Sequence, residues 1–279
     1  MTLYIVATPI GNLEDISDRA KRILGEVDLC YAEDTRHALN LFRRFGIETK
    51  LKAYHDHSSD ELREHIVREL EEGKSIALIS DAGTPCISDP GYRLVKLARE
   101  RGQAVEPIPG ASALTAFLSA SGLPTDRFTF AGFLPSKSKA RRERLEGLIG
   151  EATTVVVYES PNRLEATLNE LEALHPTLEV VVARELTKMF ETWVRGTPAE
   201  VRDTLEEAKG WRGEIVLGFH APAPDAPTRD EVDAWVEALL GAGLSPRTIA
   251  DLLQERLELP RKELYQRALA RRSAADRED

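Results

Sequence analysis

The order in which strand-like and helix-like segments alternate is the feature that most constrains this chain. Short apolar runs at residues 3–7, 29–32, 75–80 and 104–108 predict buried β-strands. Helical patterns lie between them, the third beginning with a predicted capping box from Ser58 to Glu61. Each run ends in a loop rich in Gly, Pro and small polar residues. This alternation predicts a layered α/β fold rather than a helical bundle or a β-sandwich.

The rest of the sequence predicts a second α/β block and a helical module. Five further strand-like runs lie between residues 128 and 219, and the close succession of 180–182 and 190–194 favours antiparallel pairing there. The proline-rich residues 221–227 predict an extended linker, and three short helices follow it, at 231–240, 246–257 and 261–272. A capping box from Thr228 to Glu231 precedes the first, and Ser245 as N-cap with Pro246 at the first helical position begins the second. We therefore expect domains at 1–120, 121–221 and 222–279.

Charge and composition exclude several classes of protein. Lys and Arg number 37 against 47 Asp and Glu, a net charge of −10, which argues against indiscriminate binding to a polyanion. No apolar run approaches the roughly 20 residues needed to span a bilayer, and Cys30 and Cys86 are too few for a metal cage. We expect a cytoplasmic protein that does not enter a membrane.

Four strand ends lead into loops suited to ligand binding, at residues 8–12, 33–36, 80–85 and 107–113. In open α/β sheets, ligands bind outside the carboxyl ends of the strands. The sequence lacks the G-x-G-x-x-G fingerprint after the first strand and any G-x-x-x-x-G-K-[ST] phosphate loop. Glu33, Asp34 and Asp81 instead favour a cationic ligand such as a sulfonium nucleoside over ATP.

Five motifs identify a family resemblance, at residues 8–16, 32–37, 55–57, 80–91 and 132–139. In order and spacing they resemble the tetrapyrrole-methylase superfamily, and most closely its ribosomal RNA small-subunit methyltransferase I branch. The resemblance covers essentially the whole chain. Pigment methylases of the superfamily carry a G-x-G-P-G-D first loop, whereas this chain has Pro9-Ile10-Gly11-Asn12, which favours the RNA branch.

The resemblance implies a fold, a cofactor and a substrate. It implies two α/β domains of the tetrapyrrole-methylase type with S-adenosylmethionine in the cleft between them, a small C-terminal helical module, and a homodimer. The implied reaction is methylation of the ribose 2′-hydroxyl of a cytidine in the decoding region of 16S rRNA, within the small ribosomal subunit. The residues implied to bind the cofactor are Pro9, Asp81, Gly83, Thr84, Ile87, Ser112, Ala113, Phe133 and Tyr158.

Methyl transfer to a hydroxyl requires a proton acceptor. We favour Asp34, with Arg36 as its partner, over Glu33, Glu185, Lys188 and Lys137. An equally good interpretation is that Asp34 caps the helix that follows and pairs with Arg36. Glu185 is also expected to face the cofactor from the second domain.

Two basic segments are candidates for contact with RNA. The first contains Lys137, Lys139, Arg141 and Arg142, and the second contains Arg261 and Lys262. Either could be a solvated face, but the last two helices are typical of a helix-turn-helix with a basic second helix.

Two motifs leave alternatives open. His55-Asp56-His57 contains metal-ligand types, but no third or fourth ligand lies at useful spacing, so we expect no metal. Tyr158-Glu159-Ser160-Pro161 forms either a substrate wall or a strand that ends in a helix cap. The competing functions are a tetrapyrrole or protein-side-chain methyltransferase of the same fold, and a non-enzymatic ribosome assembly factor.

Overall fold

A computed structural model describes residues 1–55, 58–208, 212–221, 227–255, 257 and 259–278, with the backbone alone for 273–278. Met1–Ala223 forms one compact unit and Pro224–Asp279 a second. The domain boundary that we predicted near residue 120 falls inside the first unit and stays a prediction.

The first sheet is fully parallel and contains five strands in the order β3-β2-β4-β1-β5. Its strands are β1 (Thr2–Val6), β2 (Leu29–Ala32), β3 (Leu51–Ala53), β4 (Ile76–Ile79) and β5 (Ala104–Ile108). The helices of this half are α1 (Asp18–Glu26), α2 (Thr35–Phe45), α3 (Asp60–Glu71), α4 (Tyr92–Glu100) and α5 (Ala113–Ser121). Separate apolar clusters cover the two faces of the sheet, which explains why β2 and β4 are apolar and buried at every position.

The second sheet is mixed, with the strand order β6-β7-β10-β8-β9. Its strands are β6 (Phe128–Phe133), β7 (Thr154–Glu159), β8 (Glu179–Arg184), β9 (Thr192–Gly196) and β10 (Ile215–His220), and its helices are α6 (Ser138–Ile149), α7 (Pro161–Leu174) and α8 (Pro198–Glu207). Only β6 and β7 pair in parallel among the described strands of this sheet. The predicted α/β class and the antiparallel character of this half are confirmed.

Helix α5 joins the two sheets. Phe117 on α5 is fully buried and packs with Val156 and Val181 of the second sheet. A Cβ on Gly218, in the middle of β10, would lie 2.4 Å from Cε1 of Phe117, so glycine is required where the ring meets the strand. We did not predict α5 because its alanines and serines give little helical periodicity, nor β3, which is only three residues long.

One predicted helix start was wrong. We expected Ser58 to begin a capping box with Glu61, but Ser59 is the N-cap of α3 and accepts a hydrogen bond from the N–H of Leu62. Ser58 is buried, and its hydroxyl oxygen accepts from the N–H of His55 at 2.9 Å. The local contact with His55 therefore engages Ser58, and the next serine caps the helix.

The C-terminal unit has its own small core. Its helices are α9 (Arg229–Gly241), α10 (Pro246–Gln254) and α11 (Arg261–Glu278), packed around an apolar cluster that includes Val236, Ile249 and Leu264. The predicted capping box between Thr228 and Glu231 is present, but α11 runs six residues past the predicted end at 272. Of the predicted linker, residues 222–226 lie outside the described residues.

In the part of the chain that the structure describes, none of the helices is both long enough and apolar enough to cross a lipid bilayer.

Candidate active site

The loop of residues 80–91, after β4, organises the carboxyl edge of the first sheet. The N–H of Thr8 donates to the carbonyl of Gly83 at 2.9 Å, and the N–H of Gly83 donates back to Thr8 at 3.0 Å. This reciprocal pair joins the loop after β1 to the loop after β4. Gly83 has a φ of +81°, a left-handed conformation that side chains with a Cβ rarely adopt.

The two other predicted loops attach to the same segment. Asp81 Oδ1 accepts a hydrogen bond from the backbone N–H of Asp34 at 2.9 Å. The hydroxyl of Thr84 donates to the carbonyl of Ala111 at 3.0 Å. The four loops that we predicted to converge therefore meet at one edge of the sheet, fixed by short polar contacts.

A cavity of about 460 Å³ opens at this edge and extends to the second sheet. Eight of the predicted cofactor residues line it: Asp81, Gly83, Thr84, Ile87, Ser112, Ala113, Phe133 and Tyr158. Pro9, Asp34, Arg36 and Glu185 are not among the lining residues. A cavity of this volume, with both polar and apolar walls, is typical of a site for a small organic ligand.

Aromatic side chains form the wall on the second sheet. The ring of Tyr158 lies edge-on to Phe130 at 4.9 Å and to Phe133 at 5.7 Å between centroids. The pairing of β6 with β7 shifts register between Phe130 and Gly132, where Gly132 has a φ of +62°. This bulge lies directly before Phe133, which remains 59% exposed beside the cavity.

Carboxylates give the cavity its charge. Five acidic residues line it, namely Glu33, Asp81, Asp89, Glu159 and Glu214. Of these, Glu159 is paired with Arg163 and Glu214 with Lys188. Among the described lining residues there is no Lys, Arg or His. A triphosphate would meet repulsion here, whereas a cationic ligand would be attracted, which agrees with the charge we inferred from the sequence.

The geometry disfavours Asp34 as the proton acceptor. Its carboxylate caps α2 by accepting from the N–H of Arg36 at 2.8 Å, and Oδ2 lies 2.6 Å from the guanidinium of Arg36. Hydrogen bonds from Arg36, from the side chain first and then the backbone, lower the pKa of Asp34 to about 2. The capping interpretation therefore describes this pair, whereas Glu33 is among the residues that line the cavity.

Glu185 lies just behind the wall of the cavity. Its Oε1 accepts from the N–H of Glu214 at 2.8 Å and from Nζ of Lys188 at 3.0 Å, and these contacts lower its pKa against the effect of burial. A Cβ on Gly213 would lie 2.5 Å from that oxygen, so Glu185 supports the backbone that lines the cavity. Burial acts to lower the pKa of Lys188, but hydrogen bonds to Glu185 and Glu214 raise it overall, which disfavours Lys188 as a base.

Sequence reasoning missed several lining residues. Leu186, Gly213 and the first residues of β10 line the cavity from the second sheet. They flank the paired ends of β8 and β10. Their position at predicted strand ends was therefore the sequence feature that could have identified them as lining residues. Glu159 and Pro161 also line the cavity, which favours the wall interpretation of that motif, although Pro161 also begins α7.

The first basic segment differs from expectation at one residue. Arg141 is buried, and its guanidinium forms a bidentate ion pair with Glu170 at 2.7 and 2.9 Å. It cannot reach an RNA phosphate without breaking this pair, so we withdraw it as an RNA contact. Lys137 is exposed. Lys139 and Arg142 are exposed but paired, with Glu143 at 3.9 Å and with Glu146 at 3.1 Å.

The second basic segment lies on α11. Arg261 is exposed and pairs with Asp251 of α10 at 2.5 Å. Arg267 and Arg271 both pair with Asp233 of α9. Lys262 is exposed and, within the described parts of the chain, forms no ion pair.

Of the motif His55-Asp56-His57, the structure describes only His55. Asp56 and His57 lie outside the described residues. Among the residues that are described, no group of three or more His, Cys, Asp or Glu side chains could hold a metal ion.

Comparison with known proteins identifies two family profiles. Tetrapyrrole (corrin/porphyrin) methylases match residues 2–202, and the RsmI C-terminal HTH domain matches residues 226–272. Ribosomal RNA small subunit methyltransferase I of Xylella fastidiosa strain Temecula1 is 47% identical over 266 residues, which cover 95% of this chain and 97% of the relative. The protein of the same name from Escherichia coli O157:H7 is 46% identical over 274 residues, covering 96% and 94%.

Solved structures share the fold at low identity. Diphthine synthase matches with a TM-score of 0.63 at 16% identity, covering 79% of this chain and 90% of that one. Uroporphyrin-III C-methyl transferase from Thermus thermophilus, complexed with S-adenyl homocysteine, matches with a TM-score of 0.53 at 20% identity, covering 79% and 97%.

Proposed function

Because the chain belongs to the ribosomal RNA small subunit methyltransferase I family of tetrapyrrole methylases, we propose that it methylates ribosomal RNA with S-adenosylmethionine. The full proposal is methylation of the ribose 2′-hydroxyl of a cytidine in the decoding region of 16S rRNA, within the small ribosomal subunit. We also propose that it acts in the cytoplasm as a homodimer.

The observation that carries the proposal is the acidic cavity. Its lining combines five acidic residues with apolar surface from Ile10, Ile87, Leu186 and Val216. S-adenosylmethionine combines a sulfonium cation, an ammonium group and a carboxylate with a flat adenine ring. The two cationic groups suit the acidic residues, and the adenine suits the apolar surface. A volume of about 460 Å³ lies within the range of small-ligand sites.

Residues of both sheets would hold the cofactor. The apolar side chains and the Tyr158 wall would enclose the adenine, while Asp81 and the N-terminus of α5 at Ser112 offer polar groups to the amino-acid end. When bound, the cofactor supplies the activated methyl group, so the protein needs only to orient the acceptor and take its proton.

We propose that Glu33 accepts that proton. It follows β2 directly and lines the cavity, whereas Asp34 is engaged as a helix cap. Arg36 then fixes the cap, and Glu185 supports the Gly213 backbone. These roles replace our preference for Asp34 as the base.

RNA contacts are assigned to the exposed cations. Lys137, Lys139 and Arg142 on the first unit, and Arg261 and Lys262 on α11, would meet phosphates without reading bases. Such local cations would allow a protein with an overall charge of −10 to bind RNA.

Transfer of tritium from labelled S-adenosylmethionine tests the proposal. Purified small subunits and free 16S rRNA, both from cells that lack the enzyme, serve as parallel substrates. We expect label in the subunit RNA, in a cytidine that resists alkaline cleavage because its 2′-hydroxyl is blocked. Label in a tetrapyrrole or a protein instead, or binding to the subunit without any transfer, would overturn the proposal in favour of the competing functions.

A further inference from the structure

The loop that follows β6 carries the exposed Lys137 and is fixed at its far end by a buried ion pair. We call residues 134–137 the β6–α6 loop. Glu170 of α7 accepts from the Arg141 guanidinium at 2.7 and 2.9 Å and from the Ser138 hydroxyl at 2.9 Å. The side chains of Arg141 and Glu170 are only 7% and 13% exposed, so water weakens this pair little. The first turn of α6 is therefore attached to α7.

A second buried pair fixes the near end of the loop. The Glu159 side chain has no exposed surface, and its carboxylate lies 2.7 Å from the Arg163 guanidinium. Glu159 also accepts from the hydroxyl of Thr167 at 2.9 Å. Arg163 in turn donates to the carbonyl of Leu134 at 3.1 Å.

Only three residues separate the two attachment points. Pro135, Ser136 and Lys137 lie between Leu134 and Ser138, and Pro135 restricts the backbone further. Such a short tethered segment has few conformations. Phe133, directly before it, lines the cavity, so the exposed Lys137 lies only four residues along the chain from a cavity-lining residue.

We propose that these two ion pairs are positioning elements for the substrate, which hold Lys137 where it meets a phosphate of the RNA. The inference rests on the proposed function for the identity of the substrate. It gives Arg141 a role that its position in a basic run does not suggest, since its charge acts inside the protein and helps to hold Lys137 for the RNA.

Removal of the Glu170 charge distinguishes a role in positioning the loop from simple electrostatic attraction between the segment and RNA. If the segment bound RNA only through its net positive charge, Glu170→Gln would strengthen binding because it removes a negative charge. If Glu170 positions the loop, the same substitution weakens binding. We expect KM for the small subunit to rise about tenfold, since small misplacements of a positioned group are costly, with kcat and cofactor affinity within about twofold of wild type.

Glu146→Gln is the matched control. Glu146 lies on α6 and accepts from Arg142 at 3.1 Å, and both side chains are about half exposed. This variant removes the same charge without releasing the loop. We expect KM for the subunit to stay at or slightly below the wild-type value.

Hydrogen exchange of residues 136–139, measured without RNA, reports on the loop directly. We expect exchange about tenfold faster in Glu170→Gln, since an attachment point is lost, and no change in Glu146→Gln. Should Glu170→Gln fail to fold, Ser138→Ala removes a single hydrogen bond to Glu170 and should give a smaller effect of the same sign.

The outcomes separate the two proposals. A wild-type protein that transfers no methyl group to rRNA defeats the proposed function, and the exchange measurement still decides whether the ion pairs fix the loop. A subunit KM at or below wild type in a folded Glu170→Gln variant, or unchanged loop exchange, overturns the positioning inference.

Discussion

The cavity and the basic segments each concentrate charges of one sign, acidic in the cavity and basic in the segments. The two regions differ in how many of these charges are paired within the protein. In the cavity, Asp81 is held by a backbone N–H and still lines the open volume. In the basic segments, Arg141, Arg142 and Arg261 are each paired with a carboxylate. Within the described residues, Asp81 therefore lines the cavity without an ion pair, although Glu159 and Glu214 are paired with Arg163 and Lys188, whereas much of the charge of the basic segments is used within the protein.

This difference shows that a run of charged residues overstates the charge available to a partner. Six candidate RNA contacts were predicted from the sequence, yet Arg141 is buried and two more arginines are paired. Exposed ion pairs contribute little to stability and can exchange partners. The buried pair of Arg141 cannot do so at low cost, because separating it leaves a charge without a partner.

The largest effect should come from closing the cavity at its glycine. Gly83→Val places a branched side chain at a φ of +81°, with the Cβ only 3.3 Å from Cγ2 of Ile10. We expect loss of cofactor binding by at least about 100-fold, because the backbone must leave this conformation. Calorimetry with S-adenosylmethionine measures it.

The control is Gly46→Val, at a φ of +66° with no heavy atom within 4 Å of the added Cβ. It introduces similar backbone strain away from the cavity and should leave cofactor affinity unchanged. Near-normal affinity in folded Gly83→Val would show that the site lies elsewhere.

The second prediction compares neighbouring carboxylates of the cavity edge. Glu33→Gln should lower kcat by roughly 10²–10⁴-fold, the scale for losing a general base. Asp34→Asn should stay within about threefold of wild type, because asparagine is also a good N-cap. Single-turnover methyl transfer distinguishes them, and the reverse order would restore Asp34 as the base.

The pH dependence of kcat gives a separate check on Asp34. A carboxylate with a pKa of about 2 stays ionised at all higher pH values, so it produces no acid limb above about pH 3. A limb at higher pH that persists in Asp34→Asn therefore belongs to another group. Loss of that limb in Asp34→Asn would contradict the helix-cap assignment.

The third prediction removes one basic segment altogether. Deletion of residues 228–279 should leave cofactor binding intact, because every described lining residue of the cavity lies in the first unit. Affinity for the small subunit should fall about 10- to 100-fold and depend less on salt, since fewer phosphates are neutralised. Filter binding across a salt series measures both. A folded truncated protein with an unchanged salt slope would rule out this RNA contact.

The smallest effect should distinguish a paired cation from one without an ion pair. Lys137 forms no ion pair within the described residues, whereas Arg142 is bound to Glu146. Lys137→Gln should reduce the salt slope of subunit binding by nearly 1, and Arg142→Gln should reduce it by clearly less. Equal slopes for the two variants would show that pairing does not limit the charge offered to RNA.

The sequence predicted best where local chemistry decides the structure. The Thr228 capping box and the Ser245 N-cap with Pro246 at the first helical position are both present, because these contacts lie within four residues. The convergence of four loops followed from strand direction alone. Eight of nine proposed cofactor residues line the cavity, and this set came from the family resemblance.

Predictions were weaker where residue type alone does not show which partner a side chain takes. Ser58 was taken as a helix cap, but it contacts His55 and its neighbour caps instead. Helix α5 has no strong apolar face because it packs between the first half and the second sheet. Asp34 and Arg141 were assigned chemistry from residue type, while their partners were set by a helix N-terminus and by Glu170, 29 residues away.

The cavity wall draws on residues from Ile10 to Val216, so it exists only after nearly the whole first unit has been synthesised and folded. A ligand that binds this wall therefore favours the entire unit over its partly folded forms. By mass action, a ligand at 100 times its Kd adds about 2.7 kcal/mol to the free energy of unfolding. A fall in cofactor supply would thus lower the stability of the whole first unit as well as the rate of methyl transfer.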